Sequence, residues 1–430
     1  MSERRQRKPP RTLGPFTVVR DIGYVSLGKY GQYVVTAVTL PLIARILGTE
    51  GLGLVAIGMS SYFIGSTLVD LGITSFLAAR INDADVNQLR GNYLAVRATT
   101  LATIGCALAV SLAVGVEMHI HMILLGLFAG GFWSMSEDWV LIGQGRFGAS
   151  MAYQAVGRVG YLILLFVVLP RFPNPSFALL SLLISSILTV GLTWRDSLKN
   201  FGRPARPHNV RTILRMGAPV VTSRLLVTSY GQGAAAVYSA VLDAASLGLF
   251  SAGDRLVRAI QSLLDPIGLA LLPRMARSSD RFWRHAIGAL LACLCAAGVA
   301  TAMIWMAAPF LINLIYGKDF ADAIPLLRVE VLILPATALT SFATTAVLTV
   351  RQDTLGVLIG AIVGTCIAAA ALLVAFQTHS VWTLVYGTVT AEFAVAVWYI
   401  IRMRHLVVRE RVAQKADAAA TAVLAHREHG

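Results

Sequence analysis

The chain has 430 residues, of which 56% are hydrophobic and 13% are charged, and its mean hydropathy is +0.70. Because soluble domains carry about 25% charged residues, this composition excludes a soluble enzyme and indicates a membrane protein. A net charge of +14 is also typical of nucleic-acid-binding proteins, so the positions of the 36 lysines and arginines decide what it means.

The N-terminal arm, residues 1–21, is basic and contains no long apolar run. The first apolar run begins only at Ile22, and no small-residue cleavage site accompanies it, which does not fit a removable signal peptide. We therefore expect a cytoplasmic arm before the first membrane span.

Twelve apolar runs follow, each near the length of about 20 residues that crosses a bilayer as a helix. The N-terminal lobe, 22–194, holds those at 22–44, 53–75, 92–114, 120–142, 151–170 and 176–194. A basic linker, 195–213, leads to the C-terminal lobe, 214–402, with runs at 214–238, 247–272, 286–314, 326–350, 355–376 and 381–401. The predicted fold is an all-α polytopic membrane protein with about 12 transmembrane helices in two six-helix lobes, followed by a tail, 403–430.

The basic residues follow the positive-inside pattern across these spans. With the N terminus in the cytoplasm, 27 of them fall in cytoplasmic connections and ends, and outward connections hold only Arg45, Arg171 and Lys318. This asymmetry predicts that both termini face the cytoplasm. The positive charge then reflects topology and attraction to anionic membrane lipids, and no nucleic-acid partner is expected.

An internal repeat appears when the chain is compared with itself at an offset of 195 residues. This offset places Leu52-Gly53-Leu54 on Leu247-Gly248-Leu249, Lys29 on Arg224, and Asp70 on Asp265. Since both lobes begin on the cytoplasmic side, the repeat is parallel, with its axis along the membrane normal, as in some transporters. The interface between the lobes is therefore the predicted place for a substrate.

Six cations lie within or at the edges of the spans, and each costs on the order of 3 kcal/mol at a helix centre. They are Lys29, Arg158, Arg224, Arg255, Arg258 and Arg328. Snorkelling toward a helix end accounts for Arg328 and stays open for Arg158 and Arg255. Lys29 and Arg224 lie ~10 to 15 Å past their span starts, which favours a functional role for this pair.

Two of the acidic residues within the spans have a cation close by in sequence. Asp254 precedes Arg258 by one helical turn, and we expect it to neutralise that arginine. Glu330 stands beside Arg328, and the same explanation is expected to apply.

The other acidic residues are candidates for ion coupling or charge pairing. Asp70 and Asp265, like Glu137 and Asp138, lie near cytoplasmic ends, where water or the basic connections are within reach. Glu392 falls in the middle of a span with no charged neighbour in sequence. It is either a buried proton carrier or a partner for Lys29 or Arg224.

We find no motif for catalysis, a metal or a cofactor. The stretch from Gly23 to Lys29 reads G-x-x-x-x-G-K, but Tyr30 stands where a phosphate loop needs Ser or Thr, and the stretch opens an apolar helix. All four cysteines fall inside apolar spans, where they act as small hydrophobic residues. We therefore expect no catalytic residue, no metal ligand, no cofactor and no disulfide.

Several short patterns resemble the polysaccharide-transport family of flippases, the Wzx-like O-antigen exporters of the multidrug/oligosaccharidyl-lipid/polysaccharide (MOP) superfamily. Three patterns are similar to the first two helices of that family: Arg45-Ile-Leu-Gly48, Glu50-Gly-Leu-Gly53 and Leu68-Val-Asp-Leu-Gly72. Its eighth helix is similar to the segment from Leu247-Gly-Leu-Phe-Ser251 to Leu272-Pro-Arg274. The segment before its tenth helix is similar to Ile315-Tyr-Gly317 with Pro325-Leu-Leu-Arg328.

This resemblance implies two lobes around a central cavity that moves polyprenyl-diphosphate-linked saccharides to the outer leaflet by alternating access. It further implies an inner-membrane location, ion-gradient coupling, and a polysaccharide polymerase and other assembly proteins as partners. Cations lining the cavity would hold the diphosphate or acidic sugars. The candidates are Lys29 and Arg224, then Arg258 and Arg158, because opposed cations offset the desolvation of a diphosphate.

Two other classes of function remain open. A drug/cation antiporter of the same superfamily would favour an acidic cavity, whereas the deep pair here is basic. A polymerase, ligase or glycosyltransferase usually has a sizeable outward loop with catalytic side chains, but the longest outward connection, Tyr316 to Pro325, is short. The sequence therefore predicts a transporter rather than an enzyme.

Overall fold

The computed structural model describes the backbone of residues 15–81, 85–277, 282–348, 351 and 353–428. Side chains are described over most of these ranges, with the main exceptions of 15–30, 263–277 and 411–428. All the regular structure within these ranges is helical. The predicted all-α fold class is confirmed.

The first helix, α1, runs from Pro15 to Asp70 and contains a sharp bend at Gly48. The backbone of Gly48 has φ 69° and ψ −167°, a conformation that side-chain-bearing residues rarely adopt. The two arms of α1 correspond to the first two predicted spans, 22–44 and 53–75. A single glycine thus makes the connection between the two arms.

Six further helices complete the N-terminal half. They are α2 (Thr74–Ala79), α3 (Val86–Val114), α4 (Met118–Trp133), α5 (Asp138–Gly143), α6 (Phe147–Val168) and α7 (Pro175–Phe201). Helix α1 is their centre, since it packs against α4, α6 and α7.

The C-terminal half begins after the connection from Phe201 to Val210. Its helices are α8 (Val210–Tyr230), α9 (Ala234–Tyr238), α10 (Ala244–Arg277), α11 (Phe282–Ile315), α12 (Ala323–Glu330), α13 (Ile333–Phe342), α14 (Thr354–Thr378) and α15 (Val381–Glu428). A 3₁₀ turn, Lys318–Phe320, precedes α12, and a π-helical turn, Ala343–Leu348, follows α13. Helix α10 packs against α1 and so joins the two halves.

Nine helical segments of the described residues are long and apolar enough to cross a membrane. Helix α8 is not among them, because it carries several charges that lower its hydropathy, including Arg215 and Arg224. The count does not include residues 263–277 of α10 or most of the first arm of α1, because these lie outside the described side chains. The chain is a multi-pass membrane protein. The count of 12 spans and the position of the termini remain predictions.

A buried charge cluster joins α3 to the end of α4. The Glu137 carboxylate accepts hydrogen bonds from Arg90 Nε at 2.8 Å and from Arg97 Nη2 at 2.8 Å. All three side chains are at most 1% exposed. The expectation that Glu137 would reach a basic partner is confirmed. Of the two expected surroundings, water or the basic connections, Glu137 has the second, because packing from α7 covers the cluster and adds a hydrogen bond from Ser197.

The two halves make a reciprocal backbone contact at Gly53 and Gly248. A Cβ atom on Gly53 would lie 1.7 Å from the carbonyl oxygen of Ala244, and one on Gly248 would lie 2.0 Å from that of Thr49. The repeat offset of 195 residues relates position 49 to position 244, and it also relates position 53 to position 248. The two halves therefore contact each other through equivalent positions, as in a contact around a two-fold axis.

A second contact between the halves lies at the C-terminal end of the second arm of α1, which follows Gly48. A Cβ atom on Gly217 of α8 would meet Leu71, and one on Gly72 would lie 2.5 Å from Arg224 Cδ. Nineteen residues separate Gly53 from Gly72, or about 28 Å along the helical arm at 1.5 Å per residue. The middle of the molecule thus lies between two closed ends.

Candidate functional site

Two adjoining cavities lie between these closed ends. The larger, of about 240 Å³, is lined by α1, α4, α6 and α7 and reaches Arg255 of α10. The smaller, of about 110 Å³, lies between α1 and the α8–α10 region. Both are lined by Phe63 and Arg255, so these two side chains form their shared wall.

The larger cavity is polar on one side. Arg158 of α6 lines it and donates a hydrogen bond from Nη2 to Gln154 Oε1 at 3.1 Å. The hydroxyl groups of Tyr62, Thr39, Ser185, Ser186 and Thr189 also lie on its wall. Hydroxyls that donate to protein carbonyls retain lone pairs, so this wall offers both a cation and hydrogen-bond acceptors.

Arg255 is the second cation of the larger cavity. Among the described side chains its guanidinium makes no hydrogen bond and no ion pair, although Asp254, Tyr161 and Tyr316 lie within electrostatic range. An arginine has five N–H donors, and those of Arg255 have no partner there. It therefore offers more free hydrogen-bonding capacity to an anion than the other cavity-lining arginines.

The smaller cavity contains an ion pair. Arg258 donates from Nε to Asp254 Oδ1 at 2.7 Å, one helical turn away on α10. The two side chains are 26% and 15% exposed. The expectation that Asp254 neutralises Arg258 is confirmed. This arginine lines the smaller cavity, but its guanidinium is partly occupied by Asp254.

The size of the cavities limits what fits in this state. Pockets for drug-sized ligands measure roughly 300–1,000 Å³, and the larger cavity is below that range at about 240 Å³. It accommodates a charged headgroup or a short part of a larger molecule. A longer ligand requires that the two halves separate.

The remaining predicted cations lie elsewhere or outside the description. Arg224 is exposed and lines neither cavity, since its stem lies against Gly72 in the contact that closes one end. Lys29 belongs to α1, but its side chain is outside the described residues. The opposed pair of Lys29 and Arg224 therefore stays a prediction.

The acidic candidates fall into different environments. Asp70 ends α1 and accepts hydrogen bonds from Thr74 at 2.6 Å and from Tyr93 at 2.6 Å, away from both cavities. The Glu392 carboxyl of α15 is close enough to Arg258 and Asp254 to interact with them electrostatically. The Asp265 side chain is outside the described residues. Of the two candidates whose side chains are described, Glu392 is the one that the structure brings to the cavity charges.

The expected pairing of Glu330 with Arg328 is wrong. Arg328 lies over the ring of Trp305, with its guanidinium carbon 4.8 Å from the ring centroid. Glu330 is fully buried and lies against Gly253, where a Cβ atom would be 2.8 Å from Oε2. Neighbours in a helical sequence point to different faces, so adjacency in sequence did not indicate contact.

Sequence reasoning did not include Arg255 among the substrate-binding candidates and paired Glu330 with Arg328. In the structure Arg255 lines both cavities, and Glu330 lies against Gly253 of α10. One signal was available for Arg255, because Asp254 satisfies Arg258 and leaves a second cation on the same helix unbalanced. No sequence signal identified Glu330, whose partners come from another helix.

Comparison with known proteins adds a family to this geometry. Residues 18–279 match the model of a family described as polysaccharide biosynthesis protein. The chain belongs to this family. The matched region contains most of α1 and continues through α10, and so includes the two arginines of the larger cavity, Arg158 and Arg255.

A curated relative from Shigella dysenteriae, named "Putative O-antigen transporter", is 24% identical over 71% of this chain and 79% of its own length. A solved structure of the lipid II flippase MurJ in an inward closed conformation has a TM-score of 0.75 at 14% identity, covering 89% of this chain and 87% of that one. An inward-facing MATE family transporter of the MOP superfamily has a TM-score of 0.57 at 15% identity, covering 87% and 98%.

The solved structures show a shared fold, and the family match adds membership of a polysaccharide biosynthesis family. The resemblance to the polysaccharide-transport branch of the MOP superfamily is therefore confirmed. This family member is a multi-pass membrane protein with the fold that the flippase and the MATE transporter share.

Proposed function

We propose that this protein moves a polyprenyl-diphosphate-linked saccharide from the cytoplasmic to the outer leaflet of the inner membrane by alternating access. An ion gradient drives the cycle, and polysaccharide polymerase and other assembly proteins act on the product. The observation that supports this function best is the pair Arg158 and Arg255, one from each half, on the wall of one cavity.

The chemistry of a diphosphate matches this pair. A diphosphate carries about two negative charges, and guanidinium groups hold phosphate oxygens through strong charge-assisted hydrogen bonds. Arg255 is the better anchor because its donors have no partner among the described side chains. The hydroxyl-bearing wall suits the sugar next to the diphosphate, and the prenyl chain stays in lipid.

Two other functions, a drug antiporter and a membrane polymerase or ligase, agree less well with the cavity and the connections. A MATE-like antiporter for cationic drugs would need a cavity of net negative charge, whereas the described side chains that line the larger cavity include two arginines and no acidic residue. A membrane polymerase or ligase would need a catalytic group in an outward loop, and the connection from Ile315 to Ala323 holds only a 3₁₀ turn. The cavity cations therefore favour the anionic lipid-linked substrate.

The test is transport in proteoliposomes loaded with a labelled polyprenyl-diphosphate oligosaccharide, read by a lectin that reaches only the far leaflet. Each charge-assisted hydrogen bond contributes about 1.5–3 kcal/mol, so Arg255→Gln and Arg158→Gln are expected to slow transport by about tenfold or more. Lys29→Ala and Arg224→Ala test, in the same assay, the pair of cations predicted from the sequence.

The matched control is Arg328→Gln, because that arginine lies on Trp305 and lines neither cavity. Its transport rate is expected to equal that of the wild type. Extrusion of cationic dyes by the wild type, without movement of the lipid-linked sugar, would refute the proposed function and favour the antiporter.

A further inference from the structure

Glu330 is a fully buried carboxyl group without a hydrogen-bond donor. Its side chain has 0% exposure, and neither carboxyl oxygen has a hydrogen-bond partner in the described structure. An ionised carboxylate in such a place is several kcal/mol less stable than in water, and buried groups of this kind usually become neutral instead. The nearest carboxyl group explains how this happens.

Asp254 of α10 stands next to Glu330 of α12. The bare backbone of Gly253 lets the Glu330 carboxyl approach α10 beside Asp254, and the two carboxyl groups are close enough to interact electrostatically. Two carboxylates have no hydrogen to share, whereas a single proton placed between them supplies the missing donor.

The charges around the pair add to the same conclusion. Helix α10 contributes Asp254, Arg255 and Arg258, while α15 contributes Glu392. Including Glu330, three acidic groups face two arginines. The Tyr316 hydroxyl at the end of α11 also faces this group. One excess negative charge remains among these described side chains, and one proton neutralises it.

We propose that Asp254 and Glu330 form a proton-binding carboxyl pair, and that Arg258 links its occupancy to anion binding in the cavity. Arg258 neutralises Asp254 and also lines the smaller cavity. An anion that attracts this guanidinium leaves the carboxyl pair more negative, and a more negative pair binds a proton more tightly. Linkage is reciprocal, so protonation of the pair strengthens anion binding in turn.

The proton site stands independently of the substrate, whereas its linkage to anion binding rests on the proposed function. Infrared spectroscopy separates the two. A protonated carboxylic acid has a carbonyl-stretch band that a carboxylate lacks, and this band is measurable in the full-length protein in an ester-free detergent. We expect such a band at neutral pH in the wild type and its loss in Glu330→Gln.

The controls keep this readout specific. Asp319→Asn removes an exposed carboxyl group from the turn after α11 and is expected to leave the band unchanged. Asp254→Asn is expected to shift the band, because the shared proton loses its second acceptor. Thermal unfolding of each variant checks the fold. Absence of the band, or its survival in folded Glu330→Gln, overturns the proton site, and displacement of the band by sodium reassigns the site to a metal cation.

The linkage is tested with farnesyl diphosphate, a short prenyl diphosphate. We expect it to raise the pH at which the band disappears by about one unit, equivalent to a tenfold linkage. Farnesol, which lacks the diphosphate, is expected to produce no shift. An unchanged band with farnesyl diphosphate overturns the linkage, while failure of transport in proteoliposomes would refute the proposed function and leave the proton site standing.

Discussion

Glu137 is the carboxylate on which two buried arginines depend. Arg97 also donates to the backbone carbonyls of Ser134 and Ser136, at 2.8 and 2.9 Å, and its guanidinium lies 4.1 Å from the Tyr93 ring centroid. The cluster therefore fixes the end of α4 against α3. Because two cations share one anion, removal of the carboxylate leaves both buried charges uncompensated.

Glu137→Gln is expected to lower the free energy of unfolding by about 3–5 kcal/mol, measured by titration with SDS. Asp196→Asn is the matched comparison, because Asp196 pairs with Arg146, whose side chain is 38% exposed. A pair of that kind contributes about 0–1 kcal/mol. Equal losses for the two variants would mean that the buried cluster is not held by its charge.

Asp353, which lies outside the membrane-spanning segments, makes a contribution to folding stability that depends on pH. It accepts two hydrogen bonds from Arg402, at 2.6 and 2.9 Å, and these hold the pKa of its carboxyl below the ordinary value. An unfolded aspartate has a pKa of about 3.9. The stabilisation is therefore complete above that pH and is lost as the pH falls through the lower pKa of the folded state.

We expect Asp353→Asn to be less stable than the wild type by about 1–3 kcal/mol at pH 6, with the difference disappearing in strong acid. Asparagine is also a good N-cap, so this variant preserves the cap of α14 and isolates the charge pair. Thermal unfolding between pH 6 and pH 3 measures the effect. A difference that stays constant over this range would contradict the assignment.

At the scale of elements, the contact of α1 with α10 depends on two glycines. Gly53 and Gly248 allow backbone to meet backbone, and any side chain at either position would overlap a carbonyl oxygen. Arg45 adds a hydrogen bond from Nη2 to the carbonyl of Leu314 at 2.6 Å, and both residues lie at predicted outward ends of their spans. These contacts hold the two halves together at the end that the sequence predicts to face outward.

Gly53→Ala is expected to open that end. The test replaces the four native cysteines, introduces cysteine at Ser60 on the wall of the smaller cavity, and adds an impermeant maleimide from outside. Labelling is expected to be roughly tenfold faster, corresponding to about 1.4 kcal/mol of lost closed-state stability. Gly191→Ala is the control, since a Cβ atom there meets no atom within 4 Å. Equal labelling in the two variants would exclude a gate at the glycine pair.

At the scale of the whole molecule, the positive-inside pattern sets the orientation that the proposed direction of transport requires. Cysteine labelling in intact cells tests it. We expect a cysteine at Lys318 to react with the impermeant maleimide and one at His208 to react only after the membrane is opened. Both positions are outside the apolar spans. Reaction of the cysteine at position 208 with the reagent added from outside would contradict the predicted topology.

The sequence by itself determined the membrane class, the all-helical fold and the family resemblance. These follow from properties that each segment carries alone: apolar runs of spanning length, and short patterns such as Leu68-Val-Asp-Leu-Gly72. The pair Asp254 and Arg258 was equally predictable, because residues one helical turn apart are neighbours in any helix.

The tertiary structure decided which charges face each other across helices. It moved Glu330 away from Arg328 and next to Asp254, placed Arg158 and Arg255 on one cavity wall, and put Arg224 in a contact between the halves. Such contacts depend on the rotation and depth of helices that are far apart in sequence. The hydrophobic pattern leaves that rotation open, because a helix inside a membrane protein is apolar on nearly every side.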